Sequence, residues 1–258
     1  MKILTLASSS AGNCTFVTSG GTNILIDAGI TMKRIREGLS SEGFDLSSVS
    51  AVFVTHAHSD HIGALGMLLK HFRIDVYCSP ETFAQLMPKL GFAERFRIVG
   101  GGVTYRDMDV AACALPHDCA GTLGYRFSDG KRSFAYCTDL GHVNSGIEDV
   151  FCGSDCVMLE ANHDVNMLRR GPYPPELKRR VLSEYGHLSN EAGGAFAARL
   201  AASGTQRLIL GHISEQNNLP RLARDTVGAI LAQNGVREGS DAELTCAVQR
   251  GKSRVVEL

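Results

Sequence analysis

The sequence predicts an α/β protein, a single domain of strand–loop–helix units over residues 1–258. Three observations predict it. The chain is long enough for one sizeable core, and hydrophobic residues at 44% with charged residues at 21% make an ordinary globular composition. Short apolar, β-branched runs alternate with helix-period stretches, without an internal repeat, linker or low-complexity tract. His and Asp recur where those runs end, and open α/β sheets place their sites at the carboxyl ends of strands.

Taken in order, Ile3 to Leu6 reads as the first strand. Ser8-Ser9-Ser10-Ala11-Gly12-Asn13 interrupts it, either as a hairpin turn or as a small-residue loop whose backbone approaches another group closely. Cys14–Thr18 and Thr22–Asp27 read as paired strands around Gly20-Gly21. Asp27 closes the apolar run Ile24-Leu25-Ile26. A buried carboxylate there needs a partner, and support of a metal ligand from behind is one candidate. Met32–Leu39 has helical spacing. Ala51-Val52-Phe53-Val54 reads as a buried strand, and Ile62 to Leu69 as the start of a helix.

Between those two lies Thr55-His56-Ala57-His58-Ser59-Asp60-His61. His56 and His58, two apart, face one way on an extended turn. Asp60 and His61 point to a neighbouring position as the chain bends into the helix. One ion taking both pairs would be strained, so the spacing predicts two ions side by side.

Asp75–Cys78 reads as a strand and Pro80–Leu90 as a helix with Pro near its start. Strand signals at Phe96–Val99, Val103–Tyr105 and Val110–Leu115 lie close together and predict an antiparallel meander. His117 follows the last of them. Tyr125–Phe127 and Ser133–Thr138 pair around Asp129-Gly130, and Asp139 follows the second. Val157-Met158-Leu159 leads into Glu160-Ala161-Asn162-His163-Asp164. Met167–Val181 carries Arg169, Arg170, Lys178, Arg179 and Arg180, with helix signals resuming at Pro175. This basic stretch is either a surface for a phosphate backbone or a solvated helix face. Gly186-His187-Leu188-Ser189-Asn190 reads as a loop and helix cap. Ala192–Ala202 reads as a small-residue helix and Gln206–Leu210 as a strand ended by Gly211-His212. Leu219–Gln233 reads as an amphipathic helix, and Leu244–Val248 and Arg254–Leu258 as terminal strands.

A formal net charge of −1 excludes recognition of nucleic acid by bulk charge, so any such surface is a local patch. Eight Cys without a CxxC pair predict a reducing cytosol. Met1-Lys2 opens directly into a strand pattern and no apolar run is long enough for a bilayer. A cytoplasmic protein with no membrane partner is expected.

His56-Ala57-His58-Ser59-Asp60-His61 resembles the HxHxDH signature of the metallo-β-lactamase superfamily, and His117, Asp139 and His212 match that family's remaining ligand positions. The resemblance implies a four-layer αββα sandwich with the metals at one edge. It implies two divalent ions, one on His56, His58 and His117 and one on Asp60, His61 and His212. Asp139 would bridge them, and Asp27 matches the family's early buried acid. Zn or Mn suits these donors, as does Fe.

Four further patterns are similar to those of the YycJ/WalJ-type branch: Ala7–Asn13, Glu160–Asp164, Gly186–Asn190 and His212–Asn218. That branch is associated with exonuclease activity on DNA, 5′→3′. The resemblance implies a metal-dependent phosphodiesterase whose partner is nucleic acid, DNA above all, and whose nucleophile is a hydroxide bridging the ions. Asp60 would orient that nucleophile or take its proton. His187 is placed like the phosphate-contacting His of tRNase Z members and would donate to the leaving oxygen. Ser9, Asn13, Asn162, His163, Ser189 and Asn217 are expected at the substrate. PhnP-like cyclic-phosphodiester hydrolases, lactonases and thioesterases share the ligand set and are the alternatives.

Overall fold

The computed structural model describes all 258 residues. The first half supplies β1 (Lys2–Ser9), β2 (Gly12–Ser19), β3 (Thr22–Ile26), β4 (Ala51–Phe53), β5 (Asp75–Cys78) and β6 (Phe96–Ile98). The second supplies β7 (Gly102–Tyr105), β8 (Met108–Ala114), β9 (Leu123–Ser128), β10 (Ser133–Cys137), β11 (Cys156–Glu160), β12 (Arg207–Gly211) and β13 (Glu243–Cys246). The terminal β14 (Val256–Glu257) returns to pair with β1. The sheets run β14-β1-β2-β3-β4-β5-β6 and β13-β12-β11-β10-β9-β8-β7. Each begins antiparallel and ends parallel, from β3 to β6 and from β10 to β13.

Strands covered on both faces must be apolar on both, which is why these runs do not alternate with polar residues. In β3, Ile24 and Ile26 enter the core between the sheets, while Leu25 faces the outer helices. In β12, Ile209 faces inward and Leu208 and Leu210 outward. Helices α1 (Met32–Ser40), α2 (Ser59–Ile62), α3 (Leu65–His71) and α4 (Pro80–Leu90) accompany the first sheet; Ile35, Leu65 and Leu86 pack on it. Helices α5 (Ser145–Phe151), α6 (Val165–Arg170), α7 (Pro175–Val181), α8 (Asn190–Ala202) and α9 (Pro220–Gln233) accompany the second; Phe151, Phe196 and Val227 pack on it. The result is four layers, αββα. No helix is long and apolar enough to cross a membrane.

Two local expectations change, and one open alternative is decided. The strand at Phe96 is not part of a meander: β6 joins β5 in parallel, and the chain crosses at Gly100-Gly101-Gly102 to the other sheet. The antiparallel run is β7–β8–β9–β10. Strand signals are local, whereas the choice of sheet depends on distant partners. The Ser8–Asn13 stretch is a hairpin, since β1 runs to Ser9 and β2 starts at Gly12. Helix α2 begins at Ser59, so Asp60 and His61 stand on its first turn.

The second sheet pins the loop after β4. Tyr125 Oη–H donates to Val54 O at 2.8 Å, and Leu123 N–H donates to Thr55 O at 3.0 Å.

Candidate metal centre and active site

Two trios of potential ligands form at this sheet edge. His56 Nε2 and His58 Nδ1 are 3.0 Å apart, and His117, just after β8, joins them. Asp60, His61 and His212 form the second trio; within each, the ligand atoms lie within 4.8 Å of one another. Asp139 stands between the two. Its Oδ1 is 4.0 Å from His117 Nε2, and its Oδ2 is 3.5 Å from His61 Nε2.

The backbone is strained where it delivers these groups. Asp27, Asp139 and His212 have φ of 58°, 66° and 52°. Left-handed backbone is uncommon for non-glycine residues and collects at functional sites. Asp27 and His212 directly follow the strands that position them, and Asp139 lies two residues past the end of β10. Close packing fixes α2: Ala28 N–H donates to His61 O at 2.8 Å, and a Cβ on Gly29 would stand 1.6 Å from Asp60 O. Only glycine permits that approach.

Buried acceptors behind the histidines set which ring nitrogen faces the site. Asp27 Oδ2 is 2.8 Å from His61 Nδ1, and Asp27 Oδ1 accepts Thr55 N–H at 2.8 Å. His117 Nδ1 is 3.2 Å from Gly186 O, to which it donates. Glu160 Oε1 is 2.7 Å from His212 Nδ1 and 2.9 Å from His187 Nδ1. Its Oε2 accepts Leu188 N–H at 3.0 Å and Leu140 N–H at 3.3 Å. With Nδ1 turned to these acceptors, His61, His117 and His212 present Nε2 to the site, the usual orientation behind a metal-bound imidazole.

The two trios differ electrostatically. Burial lowers the pKa of His56, His58 and His117, so these imidazoles stay neutral, the form that binds a cation. Burial acts the same way on His61 and His212, but carboxylates overcome it. Asp27 and Asp139 raise His61, and Asp139, Asp60 and Glu160 hold His212 up to about 10. Asp60 is drawn well below the ordinary carboxylate range by His212 and His61, against its own burial.

His117 Nε2, His212 Nε2 and Asp139 Oδ2 are buried and have no hydrogen-bond partner. Unpartnered buried polar atoms cost about 1–3 kcal/mol each. Orphaned imidazole and carboxylate atoms converging within ligand distance fit divalent cations. The chain's residues therefore fit the metal chemistry that their types suggest.

A cavity of about 190 Å³ opens over this centre, lined in part by His58, Asp60, Asp139, Asn162, His187 and His212. Of the residues expected at the substrate, Asn162 and His187 line it, and the others do not. Asn13 Nδ2–H donates to Ser9 O at 3.0 Å and stands 3.0 Å from His61 Nε2. Ser189 Oγ accepts Ala192 N–H at 3.2 Å and caps α8. Asn217 O accepts Asp164 N–H at 3.0 Å. His163 is 1% exposed with neither ring nitrogen hydrogen-bonded, and burial pushes its imidazole down to about 4.

Two acids went unassigned in the sequence. Glu160 closes the apolar run Val157-Met158-Leu159, the same signal that marks Asp27, and could have been found by it. Asp118 Oδ1 lies 3.2 Å from His117 Nε2 and 3.7 Å from His58 Nε2, while its other oxygen pairs with Arg180. No local pattern announces that pairing.

Known proteins resemble this chain in sequence and fold. Residues 22–213 match the family described as the beta-lactamase superfamily domain. The chain is 34% identical over 243 residues to the exodeoxyribonuclease YycJ of Bacillus anthracis, covering 93% of this chain and 92% of that protein. It is 33% identical over 246 residues to the exodeoxyribonuclease WalJ of Streptococcus pneumoniae, covering 93% and 91%. The metallo-β-lactamase fold protein YhfI from Bacillus subtilis superposes with a TM-score of 0.72 at 17% identity, over 98% of each chain.

Proposed function

The chain belongs to the YycJ/WalJ branch of the metallo-β-lactamase superfamily, and from that membership we propose that it is a metal-dependent exonuclease that hydrolyses DNA from the 5′ end. It acts in the cytoplasm, where its eight free cysteines persist as thiols. His56, His58 and His117 would hold one divalent ion and Asp60, His61 and His212 a second, Zn or Mn, with the Asp139 carboxylate within reach of either set. Such ions supply a nucleophile near neutral pH by lowering the pKa of water, and they draw charge from phosphate oxygens.

The observation that carries the reading is His187. Its Nδ1 is tied to Glu160 and its ring lines the cavity beside both trios, which leaves Nε2 as the free nitrogen. That nitrogen is placed to hold a proton and release it to the leaving oxygen of a phosphodiester, a role worth about 10²–10⁴-fold. Asp60, on the first turn of α2, orients the attacking water from within the cavity wall. Asn162 Nδ2–H donates to His212 O at 2.9 Å and holds that side of the cavity in place.

The test is a digest of 5′- and 3′-labelled double-stranded DNA, single-stranded DNA and RNA, with Mn and with Zn, beside Asp60→Ala. Metal-dependent nucleotide release from the 5′ end of DNA, absent in the variant, is the expected result. Turnover of bis-p-nitrophenyl phosphate with no polymer cleaved would replace the nuclease by a small-phosphodiester hydrolase. His187→Ala is expected to keep its metal content and lose about 10²–10⁴-fold in turnover. Unchanged turnover would remove His187 from the reaction.

A further inference from the structure

The cavity has two unlike walls. Ser10, Ser214 and Asn162 make one side polar, while the connection after α6 and helix α7 contribute Tyr173, Leu177, Arg180 and Val181. Among the lining residues, Arg180 is the only Arg or Lys, and Tyr173 is the only aromatic ring other than imidazole. Neither bonds to the carboxylates behind the histidines. The basic stretch thus divides: Arg180 reaches the cavity, whereas Arg179 is 73% exposed and lies 4.0 Å from Glu176.

Tyr173 is held in place before any ligand arrives. Pro172 precedes it, and Pro174 and Pro175 follow. Proline locks its own φ and confines the residue before it to extended backbone. Lys178 Nζ donates to Arg169 O at 2.8 Å and ties α7 to the end of α6. Gly171 packs the turn down, since a Cβ there would stand 2.7 Å from Asn217 Oδ1 and 2.8 Å from Met167 O. A ring presented on so stiff a segment loses little freedom when it is covered. Arg180 is paired with Asp118, whose other oxygen faces His58 and His117. A guanidinium takes carboxylate and phosphate oxygens with the same planar fork, so one can replace the other without rebuilding the wall.

Resting on the nuclease reading above, we propose that Tyr173 and Arg180 form a nucleotide-reading wall. The Tyr173 ring stacks on the base of the nucleotide being released, and the Arg180 guanidinium exchanges Asp118 for a phosphate oxygen of the same strand. Every base has a stackable face, so the wall demands a base without choosing among them. It favours nucleotide units over phosphodiesters that carry no base.

The experiment follows the first cleavage of oligonucleotides whose terminal nucleotides are either intact or abasic. Wild-type protein is expected to cleave the abasic substrate about tenfold more slowly or worse, from the usual strength of base stacking. Tyr173→Leu brings that ratio close to one, and Tyr173→Phe keeps it. Arg180→Ala lowers the slope of log affinity against log salt by about 1, the mark of one lost phosphate contact. Equal wild-type rates on the two substrates overturn the wall while leaving the nuclease intact. A Tyr173→Leu variant slowed equally on both shows a structural role only, and an unchanged salt slope removes Arg180. A wild-type protein that cleaves no polymer overturns the nuclease reading and the wall together.

Discussion

Asp27 and Glu160 are the same device built twice. Each is a fully buried carboxylate at the carboxyl end of a parallel strand, Asp27 just after β3 and Glu160 ending β11. Each faces the Nδ1 of a ligand-type histidine, His61 or His212. They differ in what else they hold. Asp27 is sealed: its other partners are the backbone N–H and hydroxyl of Thr55, and the His61 ring is 0% exposed. Glu160 is shared between His212 at 2% and His187 at 16% exposure, so one of its two partners opens on the cavity. The first acid orients only His61. The second orients His212 and also His187, whose ring lines the cavity.

The largest effect is expected where that sharing is broken. Glu160→Gln keeps the volume and removes the charge facing both rings. Turnover should fall by about 10²–10⁴-fold at saturating metal, the range of a lost general acid. Groups acting as a unit are not additive, so Glu160→Gln with His187→Ala should be little worse than Glu160→Gln alone. Fully additive losses would show that the two residues act independently.

Asp27→Asn is the matching change on the sealed side. Removal of such a supporting acid weakens metal binding by about 10–100-fold. The expected signature is a shifted metal titration, with turnover at saturating metal kept within a few-fold. A collapse of saturated turnover equal to that of Glu160→Gln would erase the distinction between the two acids.

The same pair marks what the sequence discloses. Apolar runs such as Ile24–Ile26 and Val157–Leu159 announce buried strands, because both faces of those strands are covered. Residue type at strand ends then picks out His117, Asp139 and His212 as positions of interest. Partnerships are another matter. Glu160 meets His212 across 52 residues, and Arg180 meets Asp118 across 62. Nothing local encodes such contacts. The direction of small loop side chains is equally hidden: Ser10 lines the cavity, while its neighbour Ser9 is 1% exposed and lies behind the wall. The left-handed backbone at Asp27, Asp139 and His212 has no glycine to announce it. The triple glycine at 100–102 sits where the chain changes sheets, but a turn signal does not say which sheet follows.

The smallest effect probes how far the influence of Glu160 extends. His163 is three residues beyond it and feels its charge, yet makes no hydrogen bond to it. Burial is the larger influence and pushes the imidazole down to about 4 from an ordinary 6.5. The sign follows from proton counts. Between those two values the unfolded chain binds a proton that the folded chain refuses, so stability falls as pH drops from 6.5 toward 4. His163→Leu removes that refusal and breaks no hydrogen bond. At pH 7 the variant should lie within about 1.5 kcal/mol of wild type, as volume-tolerant core changes do. At pH 4.5 the comparison should move in the variant's favour by roughly 2 kcal/mol. Denaturant unfolding of both proteins at the two pH values reads this difference, and the other histidines and carboxylates, titrating alike in both, cancel from it. A stability difference constant with pH would mean that His163 takes up its proton in the folded state, sharing the Glu160 charge that holds His187 and His212.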